Sequence, residues 1–96
     1  MIEVLQFTAP WCAPCKPVEV ILRELEPLYP GVRFAQVDVD AEPETGMRFG
    51  VLTLPTVVVL RDDEPVAIVD GARKRDEYER LLAEVVPAAG VEPDDA

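Results

Sequence analysis

Apolar and polar positions alternate, cluster and break along this chain in a way that marks out its elements one by one. Ile2-Glu3-Val4-Leu5-Gln6-Phe7 is β-prone and largely apolar and stops at Thr8-Ala9-Pro10, which predicts a strand running into a loop. From there Val18, Ile21, Leu22, Leu25 and Leu28 fall at the spacing that stripes one face of an α-helix, until Pro30-Gly31 ends it. Val32 to Val39 is a second β-prone stretch, Glu42 to Phe49 a short helix candidate, and Thr56-Val57-Val58-Val59-Leu60 a β-branched strand. Asp62-Asp63-Glu64-Pro65 carries turn chemistry, and Val66 to Val69 follows closely enough to fold back as a hairpin. Tyr78, Leu81, Leu82, Val85 and Val86 then repeat at helical spacing before Pro87. Beyond them Ala88 to Ala96 is acidic and without period. The expectation is one domain over residues 1–87 with a flexible acidic tail over 88–96.

The order βαβα followed by ββα predicts an α/β fold. A right-handed crossover joins a parallel pair, then come an antiparallel hairpin and a closing helix. A chain of 96 residues, 49% of them apolar, has material for one core. No apolar run approaches the ~20 residues that cross a bilayer, and no basic segment followed by an apolar stretch opens the chain. A soluble, cytoplasmic protein is expected on that basis. With 19 acidic against 9 basic residues, nucleic acid and anionic membrane are poor partners, because phosphate binding relies on clustered Lys and Arg. Arg73-Lys74-Arg75, at the start of the last helix, is the local exception. It reads as solvated surface offset by Asp76, Glu77 and Glu79, or as a patch that docks an acidic rim on a partner.

The chain has two cysteines, three positions apart, in Trp11-Cys12-Ala13-Pro14-Cys15, where the first strand hands over to the first helix. A thiol at a helix N-terminus faces unpaired backbone N–H groups and the positive end of the macrodipole, and both favour thiolate. Cys12 should therefore be the more acidic sulfur and Cys15, one turn further in, the shielded one. Pro14 suits the first helical turn because its missing N–H costs nothing there. Pro17, deeper in, is expected to remove one helix hydrogen bond. Three readings compete with redox chemistry: a structural disulfide, an inert buried pair, or a zinc site. The last needs about four ligands, and with no histidine it would require two chains sharing their cysteines.

Phe7-Thr8-Ala9-Pro10-Trp11-Cys12-Ala13-Pro14-Cys15-Lys16 resembles the active-site segment of the thioredoxin family, with Ala13 where that family usually has glycine. Gly50-Val51-Leu52-Thr53-Leu54-Pro55-Thr56 resembles its cis-proline segment, and Asp70-Gly71-Ala72 its glycine segment beside the substrate groove. The resemblance implies a thioredoxin-like fold in which Cys12 attacks a substrate disulfide and Cys15 resolves the mixed disulfide. It also implies a cis Pro55 that presents the Leu54 backbone to an extended substrate segment, and a Gly71 that permits close backbone approach. Trp11 would form an apolar rim whose indole N–H seeks an acceptor. No cofactor is implied beyond the Cys12–Cys15 dithiol and disulfide. The implied partners are disulfide-containing proteins and a reductase as electron donor, with the chain acting as a monomer.

Two departures from the family pattern change this picture. Thioredoxins usually begin with a further strand and helix; without them the mixed sheet has four strands flanked by three helices. Val32 to Val39 then becomes an exposed edge, guarded by Arg33, Asp38 and Asp40. The family's buried acid beneath the cysteines falls at Gln6, and its lysine partner falls at Gln36. Two facing amides could satisfy each other, but an amide cannot accept a thiol proton near neutral pH, so resolution by Cys15 should be slower than with an acid in place. The expected activity is reduction of protein disulfides. A glutaredoxin-like or single-partner reductant, and a binding module whose cysteines stay idle, remain as alternatives.

Overall fold

Strand β1 (Ile2–Thr8) sits inside the sheet. It is paired in parallel with β2 (Val32–Asp38) and antiparallel with β3 (Thr56–Arg61), and β4 (Glu64–Asp70) closes the order β2-β1-β3-β4. Helices α1 (Cys15–Leu25), α2 (Pro43–Arg48) and α3 (Arg75–Val85) complete the mixed four-stranded α/β fold. The computed structural model describes residues 1–86, so the tail expected over 88–96 lies outside the described residues.

Strand alternation sorts the core into two layers. Ile2 and Val4 of β1, with Val57 and Val59 of β3, pack against Val18, Leu22 and Leu25 of α1 and against Tyr78 and Leu82 of α3. Phe7, Val37, Val58 and Leu60 point the other way and meet Phe49, just past α2, with the Phe7 and Phe49 rings 6.0 Å apart. Gln6 and Thr8 share the parity of Ile2 and Val4, so they lie in the α1 layer. That shared layer brings two polar side chains of β1 beneath the helix that carries Cys15.

The first helix is shorter than its apolar stripe suggests. It stops at Leu25 and passes into a single 3₁₀ turn, Glu26–Leu28, with Pro27 in its first positions. Proline cannot donate the next α-helical hydrogen bond, so the axis tightens there and Leu28 ends 57% exposed, outside the core. Pro17 causes less disruption than expected. It is the third residue of α1, where an N–H has no α-helical partner, and the Ala13 carbonyl just before the helix already accepts from Lys16 N–H at 3.1 Å.

The hairpin turn is also tighter than the four-residue segment that marks it. Asp62 and Asp63 alone turn the chain, with φ of 52° and 72°, the left-handed pair that a two-residue hairpin requires. Glu64 and Pro65 already belong to β4, an edge strand with a register shift beside Pro65, where a missing N–H is tolerated. At the other edge, Arg33 of β2 bonds Glu3 across the strands at 3.1 Å. Of the basic triplet, only Arg75 lies within α3, and Lys74 is its N-cap.

Candidate active site

The loop after β1 folds back through a Cys12 N–H bond to the Ala9 carbonyl at 3.1 Å, which carries Cys12 over the start of α1. Cys15 is the first residue of that helix, and the two cysteines form a disulfide with Cα atoms 5.4 Å apart. Cys12 is 3% exposed and Cys15 not at all. The N–H groups expected to be spare at this helix start are partly used: Cys15 N–H bonds to Cys12 O at 3.2 Å and Lys16 N–H to Ala13 O at 3.1 Å. Pro14, the N-cap, has none to give. What the helix start still offers Cys12 is the positive end of the dipole of an 11-residue helix, whose first turn contains no acidic side chain to oppose it.

Around the disulfide the chain brings together segments far apart in sequence. Ala9 and both cysteines form a small buried cluster against which Val39 and Leu54 pack. The Leu54–Pro55 peptide bond is cis. Pro55 O accepts a hydrogen bond from Gly71 N–H at 2.8 Å, so the two loop landmarks are joined directly. Gly71 adopts φ +82°, and a Cβ there would meet no atom within 4 Å. Its backbone conformation, more than crowding, is what asks for glycine.

Trp11 is 68% exposed and its indole Nε1 donates to Asp40 Oδ2 at 2.8 Å. With Met47, Leu52 and Leu54 it lines an open, mainly apolar cleft of about 250 Å³ beside the cysteines. Leu52, 93% exposed, stands at its rim. Ala72 lies elsewhere, in a shallow cleft with Arg73 and Lys74. Two of the triplet's three side chains are bonded within the chain. Arg73 bonds the Asp70 carbonyl at 3.0 and 3.2 Å, and Arg75 bonds Glu24 at 2.6 Å and Glu79 at 2.8 Å.

Beneath the cysteines, Gln6 and Gln36 are register partners on β1 and β2, yet they do not satisfy each other as facing amides could. Gln6, 1% exposed, gives its Nε2 to the Cys15 carbonyl at 3.2 Å, while Gln36 is exposed. Sequence reasoning passed over two residues here. Thr8 Oγ1 donates to Glu19 Oε2 at 3.0 Å, placing a half-buried carboxylate one helical turn beyond Cys15. The signal was available, since Thr8 is two residues from Gln6 on its strand and Glu19 four from Cys15 on its helix. Among the described residues, no group of three or more His, Cys, Asp or Glu is placed to hold a metal ion.

A disulfide closed across the start of a helix, flanked by an apolar cleft and a cis-proline loop, defines a thiol–disulfide oxidoreductase. The chain belongs to the thioredoxin family, whose family model matches residues 2–84. It is 43% identical to thioredoxin H8 of Arabidopsis thaliana over 79 residues, which is 82% of this chain and 53% of that protein. The chain thus matches about half the length of that relative. It is 37% identical to a thioredoxin of Staphylococcus saprophyticus over 86 residues, 88% of this chain and 79% of the other. Among solved structures, the germline-specific thioredoxin Deadhead of Drosophila melanogaster superposes with a TM-score of 0.83 at 32% identity, covering 88% of this chain and 81% of that one.

Proposed function

We propose that this chain reduces disulfides in protein substrates, with Cys12 as the attacking thiol and Cys15 as the resolving thiol. The Cys12–Cys15 disulfide at the start of α1 carries the reading. Thiolate attack by Cys12 on a substrate disulfide gives a mixed disulfide, and Cys15 displaces the substrate sulfur to regenerate the bond seen here. The open cleft lined by Trp11, Met47, Leu52 and Leu54 favours substrates with apolar side chains beside their cysteine, while backbone groups near Pro55 and Gly71 hold the segment extended. The pair itself supplies the chemistry, and an external reductase returns it to the dithiol, as a reducing compartment such as the cytoplasm allows.

The test is catalysed reduction of insulin disulfides with a chemical or enzymatic donor. Activity should be abolished by Cys12→Ser, and Cys15→Ser should leave a trapped mixed disulfide. Wild-type protein that reduces insulin no faster than the donor alone would end this reading.

A further inference from the structure

We propose that Glu19 is the group that takes the proton from the Cys15 thiol during the resolving step, held for that purpose by Thr8. The proposal deepens the dithiol mechanism above and rests on it. In the mixed disulfide Cys15 carries a thiol, and a side chain with no exposure to solvent gives up a proton reluctantly unless an acceptor sits near it. The side chain directly beneath, Gln6, has its amide turned to the Cys15 carbonyl, and an amide is no base near neutral pH.

Glu19 is placed to act in its stead. It lies four residues beyond Cys15 on α1, on the same face, and helical side chains lean towards the N-terminus, which directs its carboxylate back towards the turn that holds Cys15. Thr8, from the end of β1, fixes one carboxylate oxygen at 3.0 Å. Glu19 and Gln6 also line one open cleft of about 240 Å³, which gives the carboxylate a route by which to exchange its proton with solvent. The charged groups facing this cleft are Arg23 of α1 and Glu26 at the 3₁₀ turn; β1 and β2 present the neutral Gln6 and Gln36. Asp38, register partner of Thr8, is the rival carboxylate, but its Oδ1 accepts from the N–H groups of Asp40 at 2.8 Å and Ala41 at 3.3 Å, in its own turn.

The step balances without another reagent. The Cys15 proton passes to Glu19, the Cys15 thiolate attacks Cys12 Sγ, and the Cys12–Cys15 bond forms. The bond from Cys12 to the substrate sulfur breaks, that sulfur leaves with the electron pair, and it takes up a proton from the Glu19 carboxyl or from solvent. The cysteine pair is oxidised and the substrate reduced.

Stopped-flow mixing of the reduced full chain with excess dithiobis-nitrobenzoate separates the steps. The first nitrobenzoate thiolate is released by Cys12 attack and the second by Cys15 resolution; because this leaving group departs ionised, the second phase reports deprotonation of Cys15. Glu19→Gln should slow the second phase roughly ten-fold or more near neutral pH and move its rise to higher pH, with the first phase unchanged. Glu19→Asp should restore part of the rate. Thr8→Val should shift the second phase the same way by less, and Asp38→Asn should leave its pH profile as in the wild type. An unchanged second-phase pH profile in Glu19→Gln, equal slowing of both phases, or a shift in Asp38→Asn alone overturns the role of Glu19 while the dithiol mechanism stands. Absence of the first phase in the wild type overturns both.

Discussion

The Gln6 side-chain amide donates to the Cys15 carbonyl oxygen at 3.2 Å, tying the middle of the central strand to the first residue of the helix that carries the disulfide. The bond is buried, and its donor shares its layer with Val4, Val18 and Val57. A neutral amide can occupy such a position because one good hydrogen bond offsets much of its desolvation.

A charge cannot do the same there. Gln6→Asp would place a carboxyl at a 1% exposed site whose register partner, Gln36, is neutral. Burial raises the folded-state pKa of the introduced group above its unfolded value, so its protonated form fits at low pH and stability is lost as pH rises through the folded value. The expected destabilisation is about 2–4 kcal/mol at neutral pH and much less near pH 4. Adding Gln36→Lys should recover part of it. Urea denaturation across that range measures both.

Trp11 makes its hydrogen bond to Asp40 at the surface, so the bond orients the ring without contributing much to the core. Asp40→Ala should change stability by no more than about 0.5 kcal/mol. It should lower kcat/KM for a protein disulfide by about two- to five-fold, the equivalent of one ordinary hydrogen bond. Trp11 is the only tryptophan in the chain, so a fall in fluorescence anisotropy in this variant would show directly that the indole has been released.

The strands were legible because alternation along Ile2–Thr8 and the β-branched run Thr56–Leu60 leave few other ways to bury those side chains. The cysteine pair was equally plain, since its place between strand and helix is written in local spacing. What escaped was set by relations between distant segments. Pro27, which ends the α-helix early, was outweighed by an apolar stripe that continues to Leu28. The destination of the Gln6 amide depends on how close α1 lies to β1, and the Thr8–Glu19 bond joins those same two elements. Pairings of that kind are decided by packing distance, which no periodicity encodes.

Two glycines offer a contrast in what the backbone demands. Gly71 holds φ +82°, where an L side chain is strained even though open space surrounds the position. Gly71→Ala should cost about 1–2 kcal/mol, the ordinary penalty of the left-handed region. It should also loosen the hydrogen bond from Gly71 N–H to Pro55 O, raising KM for protein substrates. Gly31 is outside that region, and a Cβ there meets nothing within 4 Å. Gly31→Ala should stabilise by about 0.4–1 kcal/mol, because it narrows the unfolded ensemble alone. Thermal and urea melts of the two variants should move in opposite directions.

Tyr78 gives the fold an alkaline limit. Its ring is 1% exposed between α3 and the sheet. Burial pushes its phenol above the ordinary value, with the Glu77 carboxylate adding to the rise and the Arg73 backbone N–H and guanidinium opposing it. A folded-state pKa above the unfolded one means that the stability contributed by the neutral phenol is complete below about pH 10 and is lost as pH climbs through the folded value. Tyr78→Phe removes that titration. It also removes the oxygen that accepts from Arg73 N–H at 3.2 Å, at a cost of about 1 kcal/mol at neutral pH. The two stability curves should therefore converge above pH 10, with the wild type falling faster than the variant. Parallel curves across that range would mean that burial leaves the phenol titrating in the folded protein as it does in the unfolded chain.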